Sequence, residues 1–94
     1  MVAREPTDTH HVAESLRLTR EALDLTQAAL CRITGISVQA WNNAETSDAR
    51  IGVDNAIMLC QATGLTLDWI FRGIRAGLSG EFIEAINRLE AKAP

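Results

Sequence analysis

The chain has 94 residues, which is enough for one domain with a single hydrophobic core. Apolar residues make up 47% of it and aromatic residues only 4%, so we expect an aliphatic core. Nine basic and twelve acidic side chains give a net charge of −3, and neither half of the chain is a basic arm. That balance excludes a generally cationic nucleic-acid binder but leaves room for a local positive face.

The sequence shows no sign of a membrane segment or of export. No apolar stretch approaches the roughly 18 residues that a membrane span needs, and the first six residues contain no apolar signal region. We therefore expect a cytoplasmic protein without a membrane partner. In that reducing compartment Cys31 and Cys60, both inside apolar helical patterns, are expected to be buried thiols and not a disulfide.

The sequence also offers little for catalysis or for cofactor binding. It contains no Gly-rich phosphate loop and no cluster with metal-ligand spacing. His10 and His11 are adjacent and cannot share a helix face as a pair at i and i+4 would, so we expect solvated histidines in the N-terminal tail. Ser37 fits a helix cap better than a nucleophile, and Cys31 fits the core. We predict no enzyme activity, no metal and no cofactor.

The N-terminal part predicts a tail followed by one amphipathic helix. Residues 1–8 are polar, include Pro6 and lack apolar periodicity, so we expect a flexible tail there. A helix is predicted from about Thr9 to Asp24. Its apolar face would hold Val12, Ala13, Leu16 and Leu23, and its opposite face would hold Glu14, Arg17 and Glu21.

The stretch from Thr26 to Glu45 predicts two short helices separated by Gly35. Thr26 and Ser37 each supply a side-chain oxygen that caps a helix, and Gly35 suits the left-handed conformation that ends one. The inner apolar surface is predicted to consist of Ala29, Leu30, Ile33, Ile36, Ala40 and Trp41. The start and outer face of the second helix carry Ser37, Val38, Gln39, Asn42 and Asn43. This is the layout of a helix-turn-helix, whose second helix enters the major groove of DNA.

A polar loop over residues 46–52 is followed by a fourth predicted helix over residues 53–63. Three- and four-residue spacings recur among Val53, Ala56, Ile57, Leu59, Cys60 and Thr63. A short fifth helix is predicted over residues 67–72, where Trp69 and Phe71 would close the bottom of the core. Because no alternating apolar run occurs, the whole chain is predicted to be all-α.

An amphipathic last helix is predicted from Gly80 to Ala91. Its apolar stripe consists of Phe82, Ile83, Ile86 and Leu89. The stripe has two alternative uses: it folds back on the chain's own core, or it packs against the same helix of a second subunit. The second use is favoured, because a helix-turn-helix normally works with a two-fold partner. Residues 74–94 are therefore predicted to be a connector and a dimerisation element.

Two segments of the chain carry a family resemblance. The first contains Arg20, Glu21, Leu25, Thr26, Gln27, Leu30, Gly35, Ile36, Ser37, Trp41 and Glu45, and the second runs Leu67-Asp68-Trp69-Ile70-Phe71-Arg72-Gly73. Together they resemble the phage repressor and Cro type of helix-turn-helix, an XRE-like DNA-binding family. The resemblance covers roughly residues 12–73. It implies a five-helix lambda-repressor-like DNA-binding domain over residues 9–73, with an additional C-terminal amphipathic helix.

The resemblance also implies roles for the residues that would face DNA. Gln27 would bond a DNA phosphate and brace the recognition helix. Val38, Gln39 and Asn43 match positions that reach base edges, and an amide suits the donor and the acceptor of adenine. Ser37 and Asn42 would contact backbone phosphate.

A structural ion pair is implied as well: Arg20 and Glu45 match a pair that ties the first helix to the end of the recognition helix. The loop after Glu45 departs from the family pattern. Relatives often carry a Lys- or Arg-rich loop there, whereas this loop holds Asp48 and a single Arg50. The candidates to neutralise phosphates are therefore Arg50, Arg17 and Arg32. A monomer with so few cations would bind DNA poorly at physiological salt. Trp41 stands where a smaller aliphatic residue is usual, and we expect it to pack in the core.

These observations favour a sequence-specific regulator of double-stranded DNA that acts as a homodimer and represses transcription by occupancy. Residues Ser37–Glu45 would form its recognition helix. The alternative is an antitoxin or adaptor, in which the same fold is a protein-interaction module with a protein partner. The acidic balance and the apolar stripe from Phe82 to Leu89 motivate that alternative. The two functions are compatible, since an antitoxin binds both DNA and a protein.

Overall fold

Six helices and no strand make up residues 9–92, the part of the chain described by the structure, which is a computed structural model. In chain order the helices are α1 (Thr9–Ala22), α2 (Gln27–Thr34), α3 (Val38–Glu45), α4 (Val53–Thr63), α5 (Asp68–Arg72) and α6 (Gly80–Lys92). α5 winds with π-helical geometry. The all-α prediction is confirmed. The tail predicted over residues 1–8 lies outside the described residues.

The helix-turn-helix pair begins and turns at the residues whose chemistry predicts it. The side-chain oxygens of Thr26 and Ser37 accept hydrogen bonds from the backbone N–H groups of Ala29 and Ala40, each over 3.1 Å. Gly35 ends α2 with a φ of 84°, a left-handed conformation that glycine adopts without a steric penalty. Local capping therefore sets both helix starts and the turn between them.

α1 lies at the centre of the fold, in contact with α3, α5 and α6. The sequence predicted one apolar face on this helix, but the three neighbouring helices bury Ser15, Leu18 and Thr19 as well. Trp69 of α5 donates its indole N–H to the hydroxyl of Thr19 over 2.8 Å, and that hydroxyl donates to the Ser15 carbonyl over 2.8 Å. The polar atoms in this part of the core thus satisfy one another.

Replacement of Thr19 by valine should destabilise the fold, although the two side chains have nearly the same shape. Valine leaves the buried indole N–H of Trp69 without its acceptor, which should lower the free energy of unfolding by about 1–3 kcal/mol. Thr46→Val is the matched control, since Thr46 is exposed and donates to backbone carbonyls at the end of α3. Its effect should stay within about 0.5 kcal/mol. Urea unfolding measures both, and equal losses in the two variants would contradict the prediction.

α6 packs on the chain's own core, which is the first of the two uses predicted for its apolar stripe. Phe82 and Ile86 are buried in the same core as α1. The ring of Phe82 meets Trp69 edge-on, with ring centroids 6.1 Å apart and an interplanar angle of 84°. Ile83 and Leu89 are half-buried. Dimerisation through α6 stays a prediction, and it would have to use these two residues without Phe82 and Ile86.

The connector before α6 also holds that helix in place. The guanidinium of Arg75 lies 5.8 Å from the centroid of the Trp69 ring. Arg75 donates hydrogen bonds to the side chains of Asn87, over 2.6 Å, and Glu90, over 2.7 Å. Arg75 therefore links α6 to the tryptophan at the core.

Three large apolar residues of α2 and α4 are exposed. The buried residues of α2 are Leu30, Cys31 and Thr34, and Thr34 follows the other two by four and three residues. Position 33 lies outside this stripe. α4 buries Ala56 and Leu59. The exposed residues are Ile33 (55%), Val53 (64%) and Ile57 (38%). Of these, Ile33 was predicted to lie on the inner surface, and that prediction was wrong.

Both cysteines are free thiols, with Cys31 buried and Cys60 half-buried. Burial raises the pKa of both thiols, and the charge of Glu45 raises that of Cys31 further, so neither is activated as a thiolate. The histidine prediction needs a correction, because His10 and His11 lie in the first turn of α1 and not in a tail. Within residues 9–92 no three metal-binding side chains cluster, and no helix has the length and apolarity of a membrane span.

Candidate nucleic-acid interface

α3 has one buried side and one exposed side. Trp41 and Ala44 are buried, and their burial in the core fixes the rotation of the helix about its axis. Asn43 is half-buried. The other predicted DNA-contacting residues of this helix and its cap are exposed, and they are Ser37, Val38, Gln39 and Asn42. The outer face of α3 therefore consists mainly of amide, hydroxyl and small apolar groups.

These side chains are chemically suited to the edges of base pairs. Gln39 and Asn43 are four residues apart, so they project from the same face on successive turns. Each amide carries a donor and an acceptor side by side, which matches the N6 and N7 groups of adenine in the major groove. Val38 is 50% exposed and offers an apolar surface of the kind that contacts a thymine methyl.

An ion pair between Arg20 and Glu45 ties the end of α3 to α1. Nη2 of Arg20 donates to Oε1 of Glu45 over 2.7 Å, and its Nε lies 3.2 and 3.0 Å from the two carboxylate oxygens. The indole N–H of Trp41 donates to Oε2 of the same carboxylate over 2.5 Å. The side chains of Arg20 and Glu45 are only 21% and 8% exposed. The link is therefore largely shielded from water and has a defined, bidentate geometry.

The protonation of Glu45 reflects this environment. Desolvation alone would raise its pKa. The hydrogen bond and charge of Arg20, together with the bonds from Trp41 and Gln27, outweigh that effect and hold the pKa of Glu45 below its ordinary value. The same contacts raise the pKa of Arg20, with the Glu45 hydrogen bond as the largest cause. Both groups are thus charged throughout the neutral range.

Gln27 joins α2 to the same network. Its side-chain amide donates to Oε2 of Glu45 over 3.3 Å and lies 3.4 Å from Oδ1 of Asn42. Gln27 occupies the first position of α2 and is half-buried beside the exposed Asn42. The residue therefore bridges the start of α2 and the outer face of α3.

The positive charge near α3 is sparse. Arg17 pairs with Glu14 and Glu21 on its own helix, so its charge is already matched. Arg32 and Arg50 are exposed and take part in none of the ion pairs of residues 9–92. Three arginines were predicted to neutralise phosphate. Of these, Arg32 and Arg50 are the two whose charge is not matched by an ion pair within residues 9–92.

Sequence reasoning missed two parts of this site. It predicted that Trp41 lies in the core, but it did not predict the hydrogen bond from the Trp41 indole to Glu45. A buried tryptophan usually needs an acceptor, and Glu45 lies one helical turn away. It also missed how the following loop is held. The backbone N–H groups of Asp48 and Ala49 donate to the Asn43 carbonyl over 2.9 and 3.2 Å. These bonds fix the start of the segment that leads to Arg50.

Comparison with known proteins adds one finding to this geometry. A family model described as helix-turn-helix matches residues 16–70, which is more than half of the chain. The matched segment begins in α1 and ends in α5, so it includes α2, α3 and α4 entirely and leaves α6 outside. Domains of that family bind DNA and are not enzymes. No curated protein and no solved structure matches the chain.

Proposed function

The chain belongs to the XRE-type helix-turn-helix family of DNA-binding transcription regulators, and on that basis we propose that it reads a specific sequence in double-stranded DNA with α3. The observation that carries the proposal is the exposed face of α3, which presents amides at base-reading positions while Trp41 and Glu45 hold the helix against the core. We further propose that it acts as a homodimeric repressor that blocks transcription by occupying its site.

Each residue has a specific role in this proposal. Gln39 and Asn43 bond to adenine edges, and Val38 contacts a thymine methyl. Gln27 bonds a phosphate, as does Asn42 beside it. The network around Glu45 holds Gln27 beside Asn42 and ties α3 to α1 before DNA arrives, so these two side chains and the helix itself lose little conformational freedom on binding.

The hydroxyl of Ser37 already accepts the N–H of Ala40, so it would contact a phosphate only in addition to its role as a cap. Arg17 contributes to DNA binding only if it exchanges a glutamate for a phosphate. The proposal therefore assigns the electrostatic part of binding mainly to Arg50 and Arg32.

Replacement of Arg50 by alanine should weaken binding about equally for all DNA sequences. If Arg50 neutralises one phosphate, the slope of log K against log salt should become shallower by about 0.9. Binding isotherms at several salt concentrations check this for the wild type and the variant. Arg72→Ala is the matched control, because Arg72 is exposed on α5 and pairs with Asp68. An unchanged slope for Arg50→Ala, or an equal change in both variants, would contradict the role of Arg50.

The second candidate function is the protein-interaction module of an antitoxin or adaptor. The exposed Ile33 favours it, because more than half of this apolar side chain faces solvent and it is not among the predicted DNA contacts. The apolar stripe of α6 supports it less, since Phe82 and Ile86 are in the core.

A titration of the protein against mixed genomic DNA fragments at low salt tests the proposed function. The DNA-reading function predicts retardation of the fragments at micromolar protein, with competition by duplex DNA and not by single strands. Absence of retardation at low salt, where electrostatic binding is strongest, would favour the protein-interaction module.

A further inference from the structure

A cleft of about 530 Å³ lies between the end of α1, the end of α4 and one side of α6. Its volume falls within the roughly 300–1,000 Å³ of pockets that hold small organic molecules. None of the residues that line it is a predicted DNA contact. An occupant of the cleft would therefore not compete with DNA for a side chain.

The floor of the cleft is apolar. Phe82 and Leu65 are only 7% and 8% exposed, and both belong to the hydrophobic core. Leu23 and Ala85 line the same cleft and are half-buried. Such a surface suits the hydrocarbon part of a ligand, because contact with it removes apolar area from water.

Two opposite charges lie at the rim of the cleft. Glu81 and Arg88 are exposed, and neither takes part in the ion pairs of residues 9–92. They are seven residues apart on α6, so their Cα atoms lie on the same side of the helix, about two turns or 11 Å apart. A ligand that lies along this side of α6 therefore meets a carboxylate at one end and a guanidinium at the other.

The ends of α1 and α4 add partial negative charge to the cleft. Ala22 and Thr63, the last residues of these two helices, both line it. The last carbonyl groups of a helix have no partner within that helix, and the C-terminal end of the helix dipole is negative. These carbonyls and the carboxylate of Glu81 thus favour a positively charged group in the cleft.

We propose that this cleft binds a small zwitterion with an apolar body, the chemistry of an apolar amino acid or dipeptide. The hydrocarbon side chain lies on Leu65 and Phe82, the ammonium group faces Glu81, and the carboxylate pairs with Arg88. Charge complementarity selects this class of ligand, because a simple anion or cation would match only one of the two rim charges. The inference goes beyond DNA reading and holds whether or not α3 reads a sequence.

The test is a titration of the isotope-labelled full chain without DNA, followed by the NMR shifts of its backbone amides. The probes are leucine, leucyl-leucine, N-acetyl-leucyl-leucine and leucyl-leucine amide. Saturable shifts are expected at the residues of the cleft and not on α3, with leucine and leucyl-leucine distinguishing the two ligand sizes. Blocking either end of leucyl-leucine should weaken binding about two- to fivefold, the range of an exposed ion pair.

Two variants assign the charges of the ligand to the charges of the rim. Arg88→Gln should bind leucyl-leucine and its amide alike, and Glu81→Gln should bind leucyl-leucine and its N-acetyl form alike. Glu84→Gln is the matched control, because Glu84 is exposed on α6 outside the cleft and its change should preserve both differences.

The proposal would be overturned if neither leucine nor leucyl-leucine gave saturable shifts in the cleft at millimolar concentration. Equal binding of the free and blocked probes to the wild type, or retained differences in both rim variants, would overturn it as well. Because no DNA is present in these titrations, such a failure would leave the proposed DNA-reading function untouched.

Discussion

Replacement of both Gln39 and Asn43 by alanine is expected to remove most of the protein's discrimination between its preferred duplex and duplexes altered at the contacted base pairs. A bidentate bond between an amide and adenine contributes roughly 1–3 kcal/mol to discrimination. Since 1.4 kcal/mol is tenfold in affinity, each residue should account for about 5- to 150-fold. Gln39 is exposed and Asn43 half-buried, so alanine at both positions should leave α3 folded.

Asn42→Ala provides the matched control for this loss of discrimination. Asn42 carries the same amide on the same helix and is exposed, but it is proposed to contact phosphate. Its replacement should lower affinity for all duplexes alike and preserve their ranking. Competition binding with duplexes altered one base pair at a time measures both effects. If the double variant ranks the duplexes as the wild type does, Gln39 and Asn43 do not read the sequence.

The second large effect is expected from Arg20→Met, which should lower the free energy of unfolding by about 3–5 kcal/mol. The substitution leaves the carboxylate of Glu45 only 8% exposed and without its charge partner. The remaining donors, from Trp41 and Gln27, are neutral and compensate only part of the desolvation. Reversible urea unfolding of the variant and the wild type measures the loss.

A double-mutant cycle separates the ion pair from the simple loss of a side chain. Arg20→Met combined with Glu45→Leu should be more stable than Arg20→Met alone, because it removes the buried unpaired charge. Strictly additive effects of the two substitutions would mean that Arg20 and Glu45 stabilise the fold independently. That outcome would contradict the role given to their contact.

The lowered pKa of Glu45 makes the stability of the fold depend on pH. The pKa of Glu45 is lowered in the folded chain, so below about pH 4.3, the ordinary glutamate value, the unfolded state binds the proton more readily. The stabilisation is fully present above that pH and is lost as pH falls through the lower pKa of the folded state. Glu45→Gln lacks this loss, so its unfolding free energy should fall less steeply in acid. Equal acid slopes would contradict the lowered pKa.

Local rules were enough to predict much of this fold from the sequence. Thr26 and Ser37 act as caps because their oxygens reach unpaired N–H groups within one turn. Gly35 and Gly64 end α2 and α4 with φ of 84° and 77°, as their position after each apolar run predicts. Such contacts span three or four residues, so neighbouring sequence determines them.

Features that depend on distant packing could not be predicted in the same way. Thr19 is buried because Trp69, fifty residues later, uses its hydroxyl as an acceptor. The α6 stripe folds back because Phe82 meets the same tryptophan, a contact that helical periodicity does not specify. The burial of Ile33 was predicted wrongly for a similar reason. Its spacing of three residues from Leu30 fits a shared helix face, but packing buries positions 30, 31 and 34.

Selection of bound sites from random double-stranded DNA tests the central claim most directly, because it requires no assumption about the sequence that α3 reads. The result predicted here is a two-fold symmetric consensus with half-sites one helical turn apart, about 34 Å, and adenine at the positions that Gln39 and Asn43 contact. Repetition with the Gln39→Ala/Asn43→Ala variant should lose information at those positions alone. Recovery of no consensus, or of the same consensus with the variant, would contradict the claim that α3 reads DNA.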